Sequence, residues 1–203
     1  MRLLLASASQ GRREVLTRAG IAHETLPVDL DEEALLRGLD NPGPEDSVLA
    51  LARAKCLAAV ERSDYDGFVL GCDSLFEVGG QLLGKPHTPE VARERWLAMR
   101  GKTGVLHTGH WLCDNRADGS GGTLGATAST LVHIGDVSDE LIDAYIATGE
   151  PLGVTGAFTI DGLGGCLLDG VEGDPHSVVG LSLPLLRELL SGCGVGIDAF
   201  WRG

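Results

Sequence analysis

Val69-Leu-Gly-Cys-Asp-Ser74 is followed, after a short glycine-rich turn, by Leu83-Gly-Lys-Pro86. The apolar residues of the first stretch predict a short buried strand that presents Asp73 at its edge. Pro86 biases the preceding Lys85 toward an extended backbone. A carboxylate and an ammonium group presented in this way suit chemistry on a phosphate.

The segment Gly79-Gly-Gln-Leu-Leu-Gly-Lys85 has the spacing of a phosphate-binding P-loop up to its last position. That motif needs Ser or Thr after the lysine to hold magnesium, and a helix must begin there. Pro86 supplies no hydroxyl and disfavours helical geometry at Lys85. The sequence therefore excludes a P-loop nucleotide-binding site at this position.

Composition predicts one globular domain over residues 1–203. The chain is 43% hydrophobic and carries a formal net charge of -13, which opposes binding to nucleic acid polymers and to anionic membranes. Its apolar runs are too short for a membrane span or a secretory signal, so we expect a soluble intracellular protein. Five widely spaced cysteines without a Cys-x-x-Cys pair predict buried thiols rather than a zinc cluster or a disulfide framework.

Strand and helix patterns alternate along the chain, which favours an α/β fold around a mixed, twisted sheet. The predicted strands are Leu3–Ala6, Phe68–Cys72, Val105–Cys113, Ala126–Ile134, Gly156–Ile160 and Cys166–Val171. The predicted helices are Arg12–Ala19, Ser47–Arg62, a helix that starts after Thr88 and ends near Gly101, Ser138–Ala147 and Leu181–Leu190.

The first helix begins after Ser7 and Ser9 and carries Arg12 just inside its first turn. Unpaired backbone N–H groups at a helix N-terminus attract anions, and an arginine can bind a phosphate through two parallel hydrogen bonds. The alternative interpretation is a serine cap followed by a solvated pair of arginines.

Asp73 and Lys85 have two further possible partners, Lys55 on the second helix and Glu32 in an acidic segment. Hydrolysis of a phosphoanhydride needs neutralised phosphate oxygens and a metal or base that prepares water, and these residue types meet both needs. Alternatively, Asp73 is a turn former at a strand end, and Lys55 and Glu32 are ordinary surface residues.

Dense glycine around Asp161 permits close approach of the backbone to a ligand, with the Asp161 carboxylate able to accept hydrogen bonds from a base edge. The alternative interpretation is that these glycines only form turns between secondary-structure elements. His107 and His110 are three residues apart on a predicted strand, so their rings point to opposite faces. We expect structural roles for both, and for His176.

Eight motifs in one order along nearly the whole chain resemble the Maf family. They are Leu5-Ala-Ser-Ala-Ser-x-x-Arg12, Leu51-Ala-Arg-Ala-Lys55, Gly71-Cys-Asp-Ser74, Leu83-Gly-Lys-Pro86, His107-Thr-Gly109, Tyr145 to Glu150, Gly156-Ala-Phe with Gly162, and Gly173 to Leu181. The resemblance implies hydrolysis of nucleoside triphosphates to the monophosphate and pyrophosphate. It also implies an elongated α/β fold of two lobes with a central cleft, similar to that of inosine triphosphate pyrophosphatases.

The resemblance also implies roles for individual residues. Asp73 matches the general base, and Glu32 matches a second acid that with Asp73 holds a divalent cation such as Mg²⁺, Mn²⁺ or Co²⁺. The positions that match phosphate-binding residues are Ser7, Ser9, Arg12, Lys55 and Lys85. Family members are commonly cytoplasmic homodimers, and the family is also associated with inhibition of septum formation, so the alternative function is a non-catalytic regulator of cell division.

Gly11, Ser74 and Asp161 match the positions that sort family members by nucleobase. In the family that this chain resembles, members acting on dTTP and UTP have Arg, Thr and Gln at these three positions. Members acting on methylated guanosine triphosphates have a bulky residue, Gln and Glu. This chain fits neither set, and Gln10 replaces the usual proline. We therefore expect a broad or noncanonical nucleotide substrate.

Overall fold

The computed structural model describes residues Met1–Trp201, and these residues form both strands and helices, as predicted. The strands are β1 Leu3–Ala6, β2 His23–Thr25, β3 Phe68–Val78, β4 Gln81–Leu83, β5 Thr103–Asp114, β6 Thr123–Ile134 and β7 Leu168–Glu172. The helices are α1 Gln10–Arg18, α2 Glu32–Arg37, α3 Pro44–Glu61, α4 Pro89–Met99, α5 Asp139–Ala147, α6 Pro175–Val179 and α7 Leu183–Gly192. Short 3-10 turns occur between α5 and β7 and after α7.

The strands form a mixed sheet in the order β2-β1-β3-β5-β6-β7, with β4 paired to β3. β1 runs parallel to β2 and β3, with Leu3 opposite both His23 and Phe68. The β3–β4 and β6–β7 pairs are antiparallel. The predicted α/β class with a mixed sheet is therefore confirmed.

Local capping explains where several helices begin. Four hydroxyl side chains accept a hydrogen bond from the backbone N–H three residues later, which satisfies one unpaired donor of each helix. They are Ser9, Thr88, Ser138 and Ser182. The caps at Thr88 and Ser138 confirm the two helix starts that were predicted from hydroxyl and acidic residues.

The chain divides into two compact units. The first contains Met1–Asp73, Thr108–Ala128 and the segment that follows Val179; the second contains Ser74–His107 and Ser129–Val179. The assignment of residues 1–203 to a single domain stays a prediction.

The first unit depends on close contact between α3 and its neighbouring strands. A Cβ atom added at Gly71 on β3 would overlap the backbone of Ala52 and Cys56 on α3, and one added at Gly109 on β5 would overlap the backbone at Val48. The absence of side chains at these glycines lets the helix lie directly on the strands, which places α3 side chains beside the residues of β3.

The second unit has a core rich in aromatic side chains. Trp96 is fully buried, its indole N–H donates to the carbonyl of Ala157 at 2.8 Å, and its ring meets that of Tyr145 edge to face. Phe76 and Phe158 make a second edge-to-face pair with ring centroids 5.0 Å apart. These contacts hold α4, α5 and the turns that follow α5 in one cluster.

Two sequence-based assignments were wrong in detail. The segment 156–160 was predicted to be a strand, but Gly156 has φ 77° inside a 3-10 turn and the chain then runs irregularly. β3 does not end before Asp73 but continues to Val78, so Asp73 lies inside a strand rather than at its edge. The sequence patterns did not predict β2, α2, β4 or α6, and α3 begins three residues before its predicted start.

Candidate functional site

Asp73 lies on β3 directly after a fully buried run. Val69, Leu70 and Cys72 are inaccessible to solvent, whereas Asp73 is 9% exposed. Burial raises the pKa of the Cys72 thiol to about 12, so this thiol is protonated at neutral pH and unsuited to act as a nucleophile. Among the side chains at this point of β3, the Asp73 carboxylate is the group able to accept a proton.

Lys55 joins Asp73 to a second carboxylate. Lys55 lies on α3, and its side chain is only 13% exposed. The ammonium group forms a short ion pair with Asp73 Oδ1 and lies 2.7 Å from Oε1 of Glu32. The structure thus brings together three predicted site residues, and Lys55 and Glu32 are not independent surface residues.

Glu32 reaches this cluster from the start of α2. Asp31 caps that helix by accepting a hydrogen bond from the backbone N–H of Ala34 at 2.9 Å. α2 buries none of its residues, and the Glu32 side chain is 49% exposed. The second carboxylate is therefore more accessible to solvent than Asp73.

The segment before α1 forms its own hydrogen-bonded arrangement. Ser9 accepts from the backbone N–H of Arg12 at 3.4 Å, and the Ser9 N–H donates to Ser7 Oγ at 3.2 Å. The predicted serine cap is therefore confirmed. Both hydroxyls stand at the N-terminus of α1, a position where unpaired N–H groups favour anions.

Arg12 points into the first unit. Its Nε donates to the carbonyl of Gly180 at 2.7 Å, and its Nη1 donates to the carbonyl of Cys72 at 2.8 Å and to Ser7 Oγ at 3.1 Å. Arg12 is buried, so the alternative of a solvated arginine pair is wrong for this residue, although Arg13 is exposed. Arg12 ties the serine segment to the residue that precedes Asp73.

The remaining predicted residues are distributed between the two units. Gly11 is half-buried in the first turn of α1. In the second unit, Ser74 follows Asp73 on β3, Lys85 is exposed after β4, and Asp161 is exposed in the loop that precedes β7. Their roles stay predictions that depend on the resemblance.

The segment Gly79–Lys85, whose spacing resembles a P-loop, belongs to a β-hairpin formed by β3 and β4. Gly79 and Gly80 form the turn between β3 and β4 with φ 58° and 76°, values that glycine adopts without steric cost. Lys85 follows β4 and does not begin a helix, so the sequence-based exclusion is confirmed.

The histidines have hydrogen-bonding roles. His110 Nε2 accepts from the backbone N–H of Ser182 at 2.8 Å, which leaves Nδ1 to donate to the carbonyl of Thr108 at 3.0 Å. His107 Nδ1 lies 2.9 Å from Ser129 Oγ. The His110 contacts confirm the structural role predicted for that residue.

Glu32 and Asp73 fit a divalent cation by their chemistry, since both are carboxylates and both reach the same ammonium nitrogen. Mg²⁺ is usually held by one or two carboxylates together with substrate phosphates. No cluster of three or more His, Cys, Asp or Glu suited to a metal occurs within residues 1–201. Any cation at this site would therefore need oxygen ligands from the substrate or from water.

Sequence reasoning missed one carboxylate of the second unit. Glu150 accepts hydrogen bonds from Tyr145, Thr159, Leu163 and Gly164. The dense glycine around Asp161 was compatible with turns, but it did not reveal that the Glu150 carboxylate binds the residues on either side of Asp161.

Residues 2–193 match the family model described as Maf-like protein. The chain belongs to the Maf family. A protein of Leifsonia xyli subsp. xyli named nucleoside triphosphate pyrophosphatase is 48% identical over 209 residues, covering 100% of this chain and 97% of that protein. A protein of the same name from Nocardia farcinica is 49% identical and covers 98% of this chain and 96% of its own length.

Among solved structures, a HAM1 protein from Coxiella burnetii is 14% identical, covers 68% of this chain and 74% of its own, and has a TM-score of 0.41. At this TM-score the likeness supports no conclusion about the site. The Maf assignment rests on the sequence match, which includes all ten predicted site residues. Within residues 1–201 no helix is long and apolar enough to cross a membrane.

Proposed function

We propose that this chain hydrolyses nucleoside triphosphates to nucleoside monophosphates and pyrophosphate, and so keeps noncanonical or modified nucleotides from being incorporated. The observation that carries the proposal is the carboxylate of Asp73, largely withdrawn from solvent and paired with the Lys55 ammonium. The names of the relatives at 48–49% identity agree with this activity.

Asp73 accepts a proton from a water molecule as that water attacks the α-phosphorus. The new bond forms between the water oxygen and the α-phosphorus, and the bond from that phosphorus to the α–β bridging oxygen breaks. Pyrophosphate leaves with the electron pair of that bond. Lys55, which is paired with Asp73, limits the build-up of negative charge around the reacting oxygens.

Ser7, Ser9 and Lys85 bind the triphosphate in this proposal, with help from the N–H groups of the first turn of α1. Arg12 also belongs to the phosphate-binding set, but its three hydrogen bonds to Gly180, Cys72 and Ser7 give it a positioning role as well. It orients both the serine segment and the backbone before Asp73.

Glu32 and Asp73 would together hold a divalent cation, Mg²⁺, Mn²⁺ or Co²⁺, which supplies further neutralisation of phosphate charge when bound. Lys55 already spans these two carboxylates. If a cation binds there, the Lys55 ammonium must either move partly aside on its flexible side chain or share the two carboxylates with the cation.

Gly11, Ser74 and Asp161 select the nucleobase in this proposal. Asp161 accepts hydrogen bonds from a donor-rich base edge, and Gly11 offers no side chain against which a base could stack.

The protein acts in the cytoplasm as a homodimer. A non-catalytic role in cell division is not favoured, because the relatives at 48–49% identity are named nucleoside triphosphate pyrophosphatases.

The test is release of pyrophosphate from a panel of standard, deaminated and methylated nucleoside triphosphates with Mg²⁺, Mn²⁺ or Co²⁺. We expect metal-dependent turnover with a preference among bases. Saturable nucleotide binding without product, under every metal, would contradict hydrolysis and support the regulatory alternative.

A further inference from the structure

Glu150 turns its side chain back over the loop that follows it in the second unit. Its Oε1 accepts hydrogen bonds from Tyr145 Oη at 3.0 Å, Thr159 Oγ1 at 2.5 Å and the N–H of Gly164 at 2.9 Å. Its Oε2 accepts from the N–H of Leu163 at 3.0 Å. One carboxylate thus binds both ends of the segment 159–164.

This segment contains no strand that could hold its backbone by ladder hydrogen bonds. Its glycines permit its close approach to Glu150. A Cβ atom at Gly162 would lie 2.7 Å from Glu150 Oε2, and one at Gly164 would lie 2.5 Å from Tyr145 Oη. The conformation of the segment therefore depends on the carboxylate and on the absence of side chains at these two positions.

The Glu150 carboxylate is ionised at neutral pH. Burial raises the pKa of Glu150, but hydrogen bonds from Thr159, Gly164, Leu163 and Tyr145 outweigh burial and lower it overall. Burial and the hydrogen bond to Glu150 raise the pKa of Tyr145, so the phenol stays a donor. All four donors are neutral, and two of them are backbone N–H groups.

Asp161 lies between Thr159 and Leu163, which are both bonded to Glu150. We propose that Glu150 is a positioning residue that fixes the 159–164 loop and thereby sets the nucleobase preference exerted by Asp161. This inference rests on the proposed pyrophosphatase function. Glu150 itself does not touch the reacting atoms; it acts through the loop.

The first experiment compares the wild type with Glu150→Gln on the nucleotide panel. The amide keeps the size of the side chain, but its NH₂ group cannot accept a hydrogen bond from an N–H donor. We expect KM for the preferred nucleotide to rise about tenfold while kcat changes less, because the loss concerns base positioning. The preference among bases should become flatter.

Hydrogen exchange supplies a readout that does not depend on turnover. The amides of Leu163 and Gly164 should exchange faster in Glu150→Gln, since they lose an ionised acceptor. Glu94→Gln is the matched control, because Glu94 is an exposed glutamate on α4 of the same unit. It should leave exchange, KM and base preference unchanged.

Tyr145→Phe serves if Glu150→Gln does not fold, since it removes a single donor and keeps the ring that packs on Trp96. It should shift the base preference in the same direction by a smaller factor. A double variant, Glu150→Gln with Asp161→Asn, should have the base preference of Asp161→Asn alone, since Glu150 acts through Asp161.

The outcomes separate the two proposals. An active wild type whose base ranking and KM values survive Glu150→Gln overturns this inference and leaves the proposed function intact. Additive effects in the double variant, or unchanged exchange at Leu163 and Gly164, also overturn it. A wild type that releases no pyrophosphate from any nucleotide overturns the proposed function and this inference together.

Discussion

Asp73 in the first unit is buried and Glu150 in the second is half-buried, and the partners of these two carboxylates differ in kind. Asp73 is paired with the ammonium of Lys55, which also contacts Glu32. Glu150 is held by two hydroxyls and two backbone N–H groups. One carboxylate is balanced by a cation, and the other is satisfied by neutral donors.

This difference indicates what each carboxylate can do. The lysine ammonium is a compact charge on a flexible stem, so it can release Asp73 when a substrate or a cation competes for it. The backbone donors of Glu150 cannot leave without unfolding the loop. We therefore associate the ion pair at Asp73 with catalysis, and the neutral donors around Glu150 with the conformation of a binding loop.

The largest effect should come from Asp73→Asn. The amide keeps the size of the side chain but cannot take a proton from water, so kcat should fall by about 10²- to 10⁴-fold. KM should change less, because Ser7, Ser9 and Lys85 are proposed to bind the phosphates and are unchanged in this variant. Pyrophosphate release at saturating nucleotide measures this effect.

Asp64→Asn is the matched control for that variant, since Asp64 is an exposed aspartate of the first unit. It should retain wild-type kcat. If Asp73→Asn turned over at the rate of this control, Asp73 would not be the base, and the contrast with Glu150 would lose its functional meaning.

Lys85→Ala should have the next largest effect. In the proposed mechanism this cation stabilises charge on the phosphate oxygens, so its loss should lower kcat/KM by about 10²-fold. Thermal stability should hardly change, because the Lys85 side chain is exposed. Lys102→Ala, at another exposed lysine of the second unit, should be neutral, and an equal loss in both variants would point to a general effect of net charge.

A third carboxylate combines the two kinds of partner. Asp114 ends β5, receives two hydrogen bonds from the Arg116 guanidinium at 2.7 and 2.9 Å, and accepts from the N–H and hydroxyl of Ser120. Arg116 lowers the pKa of Asp114, burial opposes this, and the Ser120 contacts lower it further. The net pKa lies well below the usual value, so folding favours the ionised form.

Asp114→Asn should lower the thermal midpoint at neutral pH by about 5 °C, since it removes charge-assisted hydrogen bonds. A depressed pKa in the folded state stabilises the protein above the ordinary aspartate pKa, and this stability is lost as the pH falls below about 4. The gap in thermal midpoint between wild type and variant should therefore narrow on acidification. Asp118→Asn in the same loop is the control, and a gap independent of pH would contradict the assignment.

The starts of α4 and α5 were predictable because their capping signals are local. Thr88 and Ser138 cap helices within three residues of themselves, so short sequence motifs identified them. Strand ends were less predictable, since β3 continues past Asp73 to form a hairpin with β4. Its length depends on a partner strand that an apolar run alone does not reveal.

The residue types of the candidate site were predictable, but their connections were not. Lys55 and Glu32 resembled ordinary surface residues in isolation, and the ion pairs of Lys55 with Asp73 and with Glu32 need three separate segments to meet. The 156–160 segment has strand-forming residues but forms no strand, and its Thr159 side chain donates a hydrogen bond to Glu150. Contacts distant along the chain therefore outweighed local propensity at both carboxylates.

Glu32→Gln should produce the smallest effect on stability. It tests whether the ion-paired site around Asp73 uses a second carboxylate to hold the cation. Glu32 is half exposed, so loss of its ion pair with Lys55 should change the free energy of unfolding by at most about 1 kcal/mol. Its carboxylate is nevertheless proposed to hold the cation with Asp73, so the metal concentration that gives half-maximal turnover should rise. Glu33→Gln, at the next residue of α2, should leave the metal dependence unchanged. If both variants keep the wild-type metal dependence, Glu32 serves only to hold Lys55, and the ion-paired site uses Asp73 as its single reactive carboxylate.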